Sequence, residues 1–213
     1  MFHTENGFPF RAYAVQGVRV DANTLVANYR FNRADHDALR GYRRFALLRD
    51  PVKRFLSGYS NRVLHYRELS IEAAGQRLLS EGLPPDPDLG TFVENYLGYL
   101  RCSRPLARHF LQQQKFIGNS PEYFERIFRL EDMEDLVRFV NAACGTDAKM
   151  PRLQTGGPKL NFFALDEDIQ ANVLEICRHD IAFQIMPDYW APYAHLVDAE
   201  DAPVALASAG GTR

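Results

Sequence analysis

Arg49, Asp50, Pro51, Lys53, Arg54 and Ser57 crowd opposite charges and a hydroxyl into one short stretch, "LRDPVKRFLSG". A helix that starts here after a strand offers unpaired backbone N–H groups and a partial positive charge. Phosphate binds readily at such an end. Arg49 adds a bidentate guanidinium contact, and Ser57 lies on the same helical stripe as Arg54 and adds a hydroxyl. Together the residues suit a phosphate monoester of a nucleotide. A surface helix with a capped Arg–Asp pair would use the same residue types with no ligand.

The positioning elements can be read from spacing. "RFALL", residues 44–48, is an apolar run closed by Asp-Pro, and it predicts a buried strand in a parallel sheet. Asp50 suits a helix N-cap and Pro51 the first helical position. The helix is expected over 51–67. At about 100° per residue, Val52, Leu56, Tyr59, Val63 and Tyr66 share one stripe, and Asp50, Arg54, Ser57 and Asn61 the opposite one.

Around this unit, "GVRVDANTLVA" (17–27) predicts one or two short strands, and 34–41 a short helix. A Pro-rich loop follows at 83–90. Helices are expected over 91–100, 104–118, 131–145 (with Met133, Leu136, Val137 and Val140 on one face and Gly145 as its stop) and 166–185. The last opens on three acids. "RIFRLE" (126–131) predicts a strand, and 151–161 a loop. Strands alternating with helices imply an α/β layered domain. Residues 1–198 read as one domain and 199–213 as a flexible tail.

With 213 residues, 46% hydrophobic and 12% aromatic, the chain can bury a sizeable core. Its formal net charge of -2 argues against a general nucleic-acid binder. Three separated cysteines without Cys-x-x-Cys spacing fit reduced core thiols better than a disulfide framework or a zinc site. No histidine pair spaced for a metal is present. The expectation is a soluble, cytoplasmic protein with no transmembrane segment, no signal peptide and no metal.

"FALLRDPVKRFLSGYSNRV" resembles the nucleotide-binding segment of the sulfotransferases that use 3′-phosphoadenosine-5′-phosphosulfate (PAPS), and looks closest to the carbohydrate branch and its bacterial relatives. The matching positions are Arg49, Asp50, Pro51, Arg54, Ser57 and Tyr59. "HFLQQQKFIG", with His109, Gln112 and Gln113, is similar to a second family segment. "RIFRLEDMEDLVRFVNAACG" resembles its strand–Glu–helix unit. The stretch ending in Arg178-His179-Asp180 resembles a closing helix with a Tyr-x-x-Asp-like element that has lost its aromatic residue. The resemblance implies a three-layer parallel sheet flanked by helices, a P-loop-NTPase-like sulfotransferase fold. It also implies PAPS as sulfuryl donor and, as acceptor, a hydroxyl of a carbohydrate or similar molecule. Arg49 and Ser57 would hold the 3′-phosphate of the cofactor. Arg54 is a candidate third member beside a pairing with Asp50, and Lys159 of "TGGPK" a candidate nucleotide contact beside a solvated loop lysine.

Relatives bind the 5′-phosphosulfate in an N-terminal Pro-Lys-x-(small)-x-Thr-Ser turn, whereas residues 1–44 contain no lysine. "TENGFPFR" is the nearest glycine-bearing turn. The expectation is that this loop is missing, through N-terminal truncation or degeneration. His36 and His109 are the candidate catalytic bases, beside ordinary structural roles for both, and Glu131 is a third candidate. Three readings follow: a PAPS-dependent sulfotransferase; a degenerate relative that binds the 3′-phosphoadenosine nucleotide without transfer; and a P-loop kinase or NTPase relative, weakened by the absent Gly-Lys-Ser/Thr turn.

Overall fold

The computed structural model describes residues 13–15, 18–20, 30–147, 149, 156–204 and 206. Along the chain run β1 (Tyr13–Val15), β2 (Val18–Val20), β3 (Phe45–Leu48), α1 (Pro51–Gly58) and a π-helical turn (Tyr59–His65). There follow α2 (Ile71–Glu81), α3 (Leu89–Glu94), α4 (Tyr96–Cys102), α5 (Arg104–His109), α6 (Gln114–Ile117) and β4 (Arg126–Arg129). The last elements used below are α7 (Met133–Cys144), α8 (Glu167–Cys177), α9 (Ile181–Ile185) and α10 (Pro187–Trp190). The chain divides into two compact units, Met1–Leu48 with Phe116–Thr155, and Arg49–Lys115 with Gly156–Arg213.

The first unit holds the strands. β3 and β4 pair in parallel, Phe45 opposite Arg126 and Leu48 opposite Arg129. A parallel pair needs a long crossover rather than a hairpin, and residues 49–125 supply it. Phe45, Phe128 and Phe139 meet edge to face, and α7 lays Leu136 and Val140, one turn apart, on the same cluster. Gly145 ends α7 in the left-handed conformation, φ 65°, as its spacing predicts. β3 is less buried than expected. Ala46 and Leu48 point inward, whereas Leu47 is partly exposed, the alternation of a strand with one covered face.

β1 and β2 pair antiparallel. The strand expected in 17–27 is seen at Val18–Val20, while "TENGFPFR" and the rest of 17–27 lie outside the described residues. Residues 34–41 form turns rather than a helix. Asp35 accepts the Ala38 N–H at 3.0 Å, a local side-chain bond that competes with helical pairing. Among the described residues the parallel sheet has two strands, so the molecule is a helix-rich α/β protein with a small parallel sheet.

The second unit is helical. Val52, Leu56, Tyr59 and Val63 are buried as their stripe predicts, joined by Phe55. Tyr66 is exposed. The chain widens into a π turn from Tyr59, marked by the Tyr66 N–H reaching the Asn61 carbonyl at 3.0 Å, and the wider turn shifts the helical phase. Phe92 gathers Phe55, Tyr59, Tyr96, Tyr99 and Phe110 around it.

Three expected helices are broken, each at a polar residue that bonds out of register. Asp88 caps α3 through the Thr91 N–H at 2.7 Å, and Asn95 divides α3 from α4. The 104–118 stretch opens between α5 and α6, where Gln113 turns inward. The 166–185 stretch breaks at Asp180, which caps α9. Within 199–213, Asp201 pairs with Arg178 at 2.5 Å and the Leu206 N–H bonds to the Gln184 carbonyl at 3.0 Å. Cys102 and Cys177 are buried, Cys144 is exposed, and all three are free thiols. Among the described residues no helix is long and apolar enough to cross a membrane.

Candidate anion site at the start of helix α1

Pro51 opens α1 and Asp50 caps it, Asp50 Oδ1 accepting the Lys53 N–H at 3.1 Å. The second carboxylate oxygen accepts the Tyr193 hydroxyl at 2.8 Å. Asp50 is 1% exposed. Burial pushes its carboxyl above the usual range, against the opposing pull of the Lys53 N–H, the Tyr193 hydroxyl and the Val52 N–H. The cap alters the chemistry read from the sequence. Pro51 has no N–H, and Asp50 already takes the Lys53 amide and draws on that of Val52. The first turn of α1 therefore has few free amides, and the groups left to meet an anion here are side chains.

Arg49, half-buried, is fixed through its backbone. Its N–H donates to Gln113 Oε1 at 3.0 Å and its carbonyl accepts from Gln113 Nε2 at 2.8 Å. Gln113 is in turn gripped by Asp180: its backbone N–H donates to Oδ2 at 2.9 Å and Nε2 donates to Oδ1 at 3.1 Å. Asp180 Oδ1 also accepts the Ala182 N–H at 3.0 Å. Gln113 and Asp180 are both buried, so this is a satisfied polar network of the kind that specifies one backbone arrangement. Burial raises the Asp180 carboxyl, offset by the Ala182 and Gln113 N–H groups and by Arg54.

Arg54 and Ser57 are half-buried on α1. Arg54 lines a cavity of about 20 Å³ with Phe55, Tyr96, Phe110, Gln112 and Asp180. Burial lowers its guanidinium from the ordinary value, and Asp180 opposes that shift. Its acidic neighbour is therefore Asp180; the residue beside Asp50 is Lys53, at 3.9 Å. The fully buried Cys177 thiol is pushed well above its ordinary value and donates to the Pro51 carbonyl at 3.6 Å.

A family model described as "Sulfotransferase family" matches residues 16–182. The chain belongs to the sulfotransferase family. No curated protein and no solved structure matched it. The matched span takes in Arg49, Gln113 and Asp180 and ends at Ala182, whose N–H bonds to Asp180. For this sulfotransferase-family chain, membership supports sulfuryl transfer in general. Among the described residues, no group of three or more His, Cys, Asp or Glu side chains is placed to hold a metal ion.

The remaining candidates are dispersed. Lys159 is exposed in the loop after Pro158. That loop lies against the helix that carries Ser57, because Ser60 Oγ donates to the Pro158 carbonyl at 2.5 Å. His109 ends α5 and is solvent-accessible on one side. Partial burial, then Arg62 and Arg54, hold its imidazole below the usual value. His36 belongs to the first unit, where its ring packs on Phe31 and Tyr123 and its Nε2 stands 2.8 Å from the Phe31 carbonyl. That carbonyl can only accept, so the neutral ring carries its proton on Nε2 and its lone pair on Nδ1. Glu131 is exposed in a single turn, Leu130–Asp132.

Sequence reasoning missed the supporting residues. Gln113 and Asp180 carried signals only as members of family-like segments, with no role attached. Tyr193 carried no signal, because a partner 143 positions from Asp50 leaves no local pattern.

Proposed function

We propose that this chain transfers a sulfuryl group from PAPS to a hydroxyl of a carbohydrate or similar acceptor. The observation that carries the reading is the Arg49–Asp50–Pro51 turn, held by Gln113, Asp180 and Tyr193, in a chain of the sulfotransferase family. Arg49 and Ser57 would take the 3′-phosphate of the nucleotide, with Arg54 and Lys159 as further cationic contacts. The donor set fits a phosphate monoester: a guanidinium held through its own backbone, a second guanidinium on the following helix and a hydroxyl two turns along it. The fold we infer is the three-layer, P-loop-NTPase-like sulfotransferase fold, as one domain over 1–198. The family match running through both compact units supports this.

PAPS supplies an activated sulfuryl group. In the transfer the acceptor oxygen forms a bond to sulfur as the bond from sulfur to the phosphate oxygen breaks, the acceptor proton passes to a base, and adenosine 3′,5′-bisphosphate leaves. Positioning and electrostatics do most of the work, as in phosphoryl transfer. The two histidines are the candidates for the base. The lowered pKa of His109 keeps it neutral near pH 7; His36 would serve only if its Nδ1, buried among the rings of Phe31 and Tyr123, became accessible.

A second reading is a member of the family that binds the 3′-phosphoadenosine nucleotide with little transfer. Incubation with labelled PAPS and a panel of sugar acceptors separates the two. Labelled sugar product supports the enzyme. Tight bisphosphate binding without product supports the binding protein.

A further inference from the structure

We propose that Ser60 and Gly157 are positioning residues for the nucleotide's phosphate. They latch the loop 156–159 onto the helix that carries Arg54 and Ser57, and so set where Lys159 acts. The inference rests on the nucleotide reading above.

Ser60 is 5% exposed and its hydroxyl donates to the Pro158 carbonyl. Gly157 lies directly over it. Its φ is +89°, and a Cβ there would stand 2.5 Å from both the Ser60 carbonyl oxygen and Oγ. One of those atoms is backbone and cannot swing aside, so the approach requires glycine twice over, for conformation and for space. Gly156 packs the same way on His65, whose ring would be 2.6 Å from an added Cβ, and its carbonyl lies 3.5 Å from Asn61 Nδ2. The loop therefore rests on Ser60, Asn61 and His65, all within the π turn.

That turn is the reason for the docking. A π turn packs its backbone less well than an α-helix and recurs where function needs an altered surface. Here it brings Ser60 inward and leaves Asn61 beside the loop. Ser60 follows Ser57 by three residues, so the two are neighbours on the helix surface. The Pro158–Lys159 peptide is planar, so holding the Pro158 carbonyl at Ser60 sets the direction in which the chain enters Lys159. A flexible loop would have to be ordered when the nucleotide binds; a latched one avoids that cost.

The test is a double-mutant cycle on adenosine 3′,5′-bisphosphate affinity, with Lys159→Ala, Ser60→Ala and the pair. Lys159→Ala alone weakens binding about tenfold, the value of one hydrogen bond to a charged group. In the Ser60→Ala background the same change has almost no further effect, because the lysine is already displaced. Gly157→Ala reproduces the Ser60→Ala result by forcing the loop off. Trypsin cleavage after Lys159 accelerates in both latch variants, a readout that needs no nucleotide. If Lys159→Ala costs the same with and without Ser60, or if cleavage is unchanged, the latch is wrong while the nucleotide site stands. If the wild-type chain binds no bisphosphate, the nucleotide reading fails and the role given to Lys159 falls with it.

Discussion

Gln113 stands beside Arg49 as a neighbouring strand would, its side-chain amide accepting the Arg49 N–H at 3.0 Å and donating to the Arg49 carbonyl at 2.8 Å. The residue proposed to grip phosphate is thus aimed through its backbone, by a side chain that is itself gripped by Asp180.

Gln113→Leu leaves the Arg49 backbone groups and the Asp180 carboxylate short of partners. Each unsatisfied buried group costs about 1–3 kcal/mol, so chemical denaturation should show a loss of at least that size. Gln113→Glu should be worse at neutral pH. It sets a carboxylate against the Arg49 carbonyl and Asp180 Oδ1, where an amide nitrogen now donates, and its deficit should shrink on acidification. Equal and pH-independent deficits for the two variants would contradict this geometry.

Tyr193→Phe removes one hydroxyl and leaves Asp50 Oδ2 buried. A hydrogen bond to a charged group contributes about 1.5–3 kcal/mol, and the loss should appear in the denaturation midpoint with an unchanged denaturant slope. A neutral result would mean that water replaces the tyrosine hydroxyl at Asp50.

The Asp180 carboxyl is raised in the folded state, mainly by burial. The folded state therefore takes up a proton before the unfolded state does. Asp180 costs stability while ionised, and that cost is relieved as pH falls through the raised folded value toward the ordinary one near ~4. Asp180→Asn has no such gain. The melting temperature of wild type should rise relative to that of Asp180→Asn as pH falls from 7 toward the ordinary carboxylate range. A relative fall would mean that the N–H groups and Arg54 outweigh burial and hold the carboxyl low.

The local part of this site was legible in the sequence. Asp50 as cap, Pro51 as first helical residue, and Val52, Leu56, Tyr59 and Val63 as the buried stripe all follow from spacing within a few turns, and they are as expected. The stripe failed at Tyr66 because a π turn has no clear residue signature and advances the helix by a different angle. The expected helix over 166–185 failed because apolar periodicity continues through Asp180, whose role as cap depends on the remote Gln113. The start of α1 has fewer free amides than the sequence predicts for a related reason. Asp50 falls on the polar stripe by spacing, whereas Tyr193 draws it into the interior, where it takes the Lys53 N–H.

The central claim is that Arg49 and Ser57 hold a nucleotide phosphate. Calorimetric titration of adenosine 3′,5′-bisphosphate into wild type and Arg49→Ala, each first shown to be folded by circular dichroism, tests it most directly. Truncating one partner of a hydrogen-bonded charge pair costs about 2–5 kcal/mol, so the account predicts that Kd rises by at least about thirtyfold in Arg49→Ala. The same affinity in a folded Arg49→Ala protein would contradict the account.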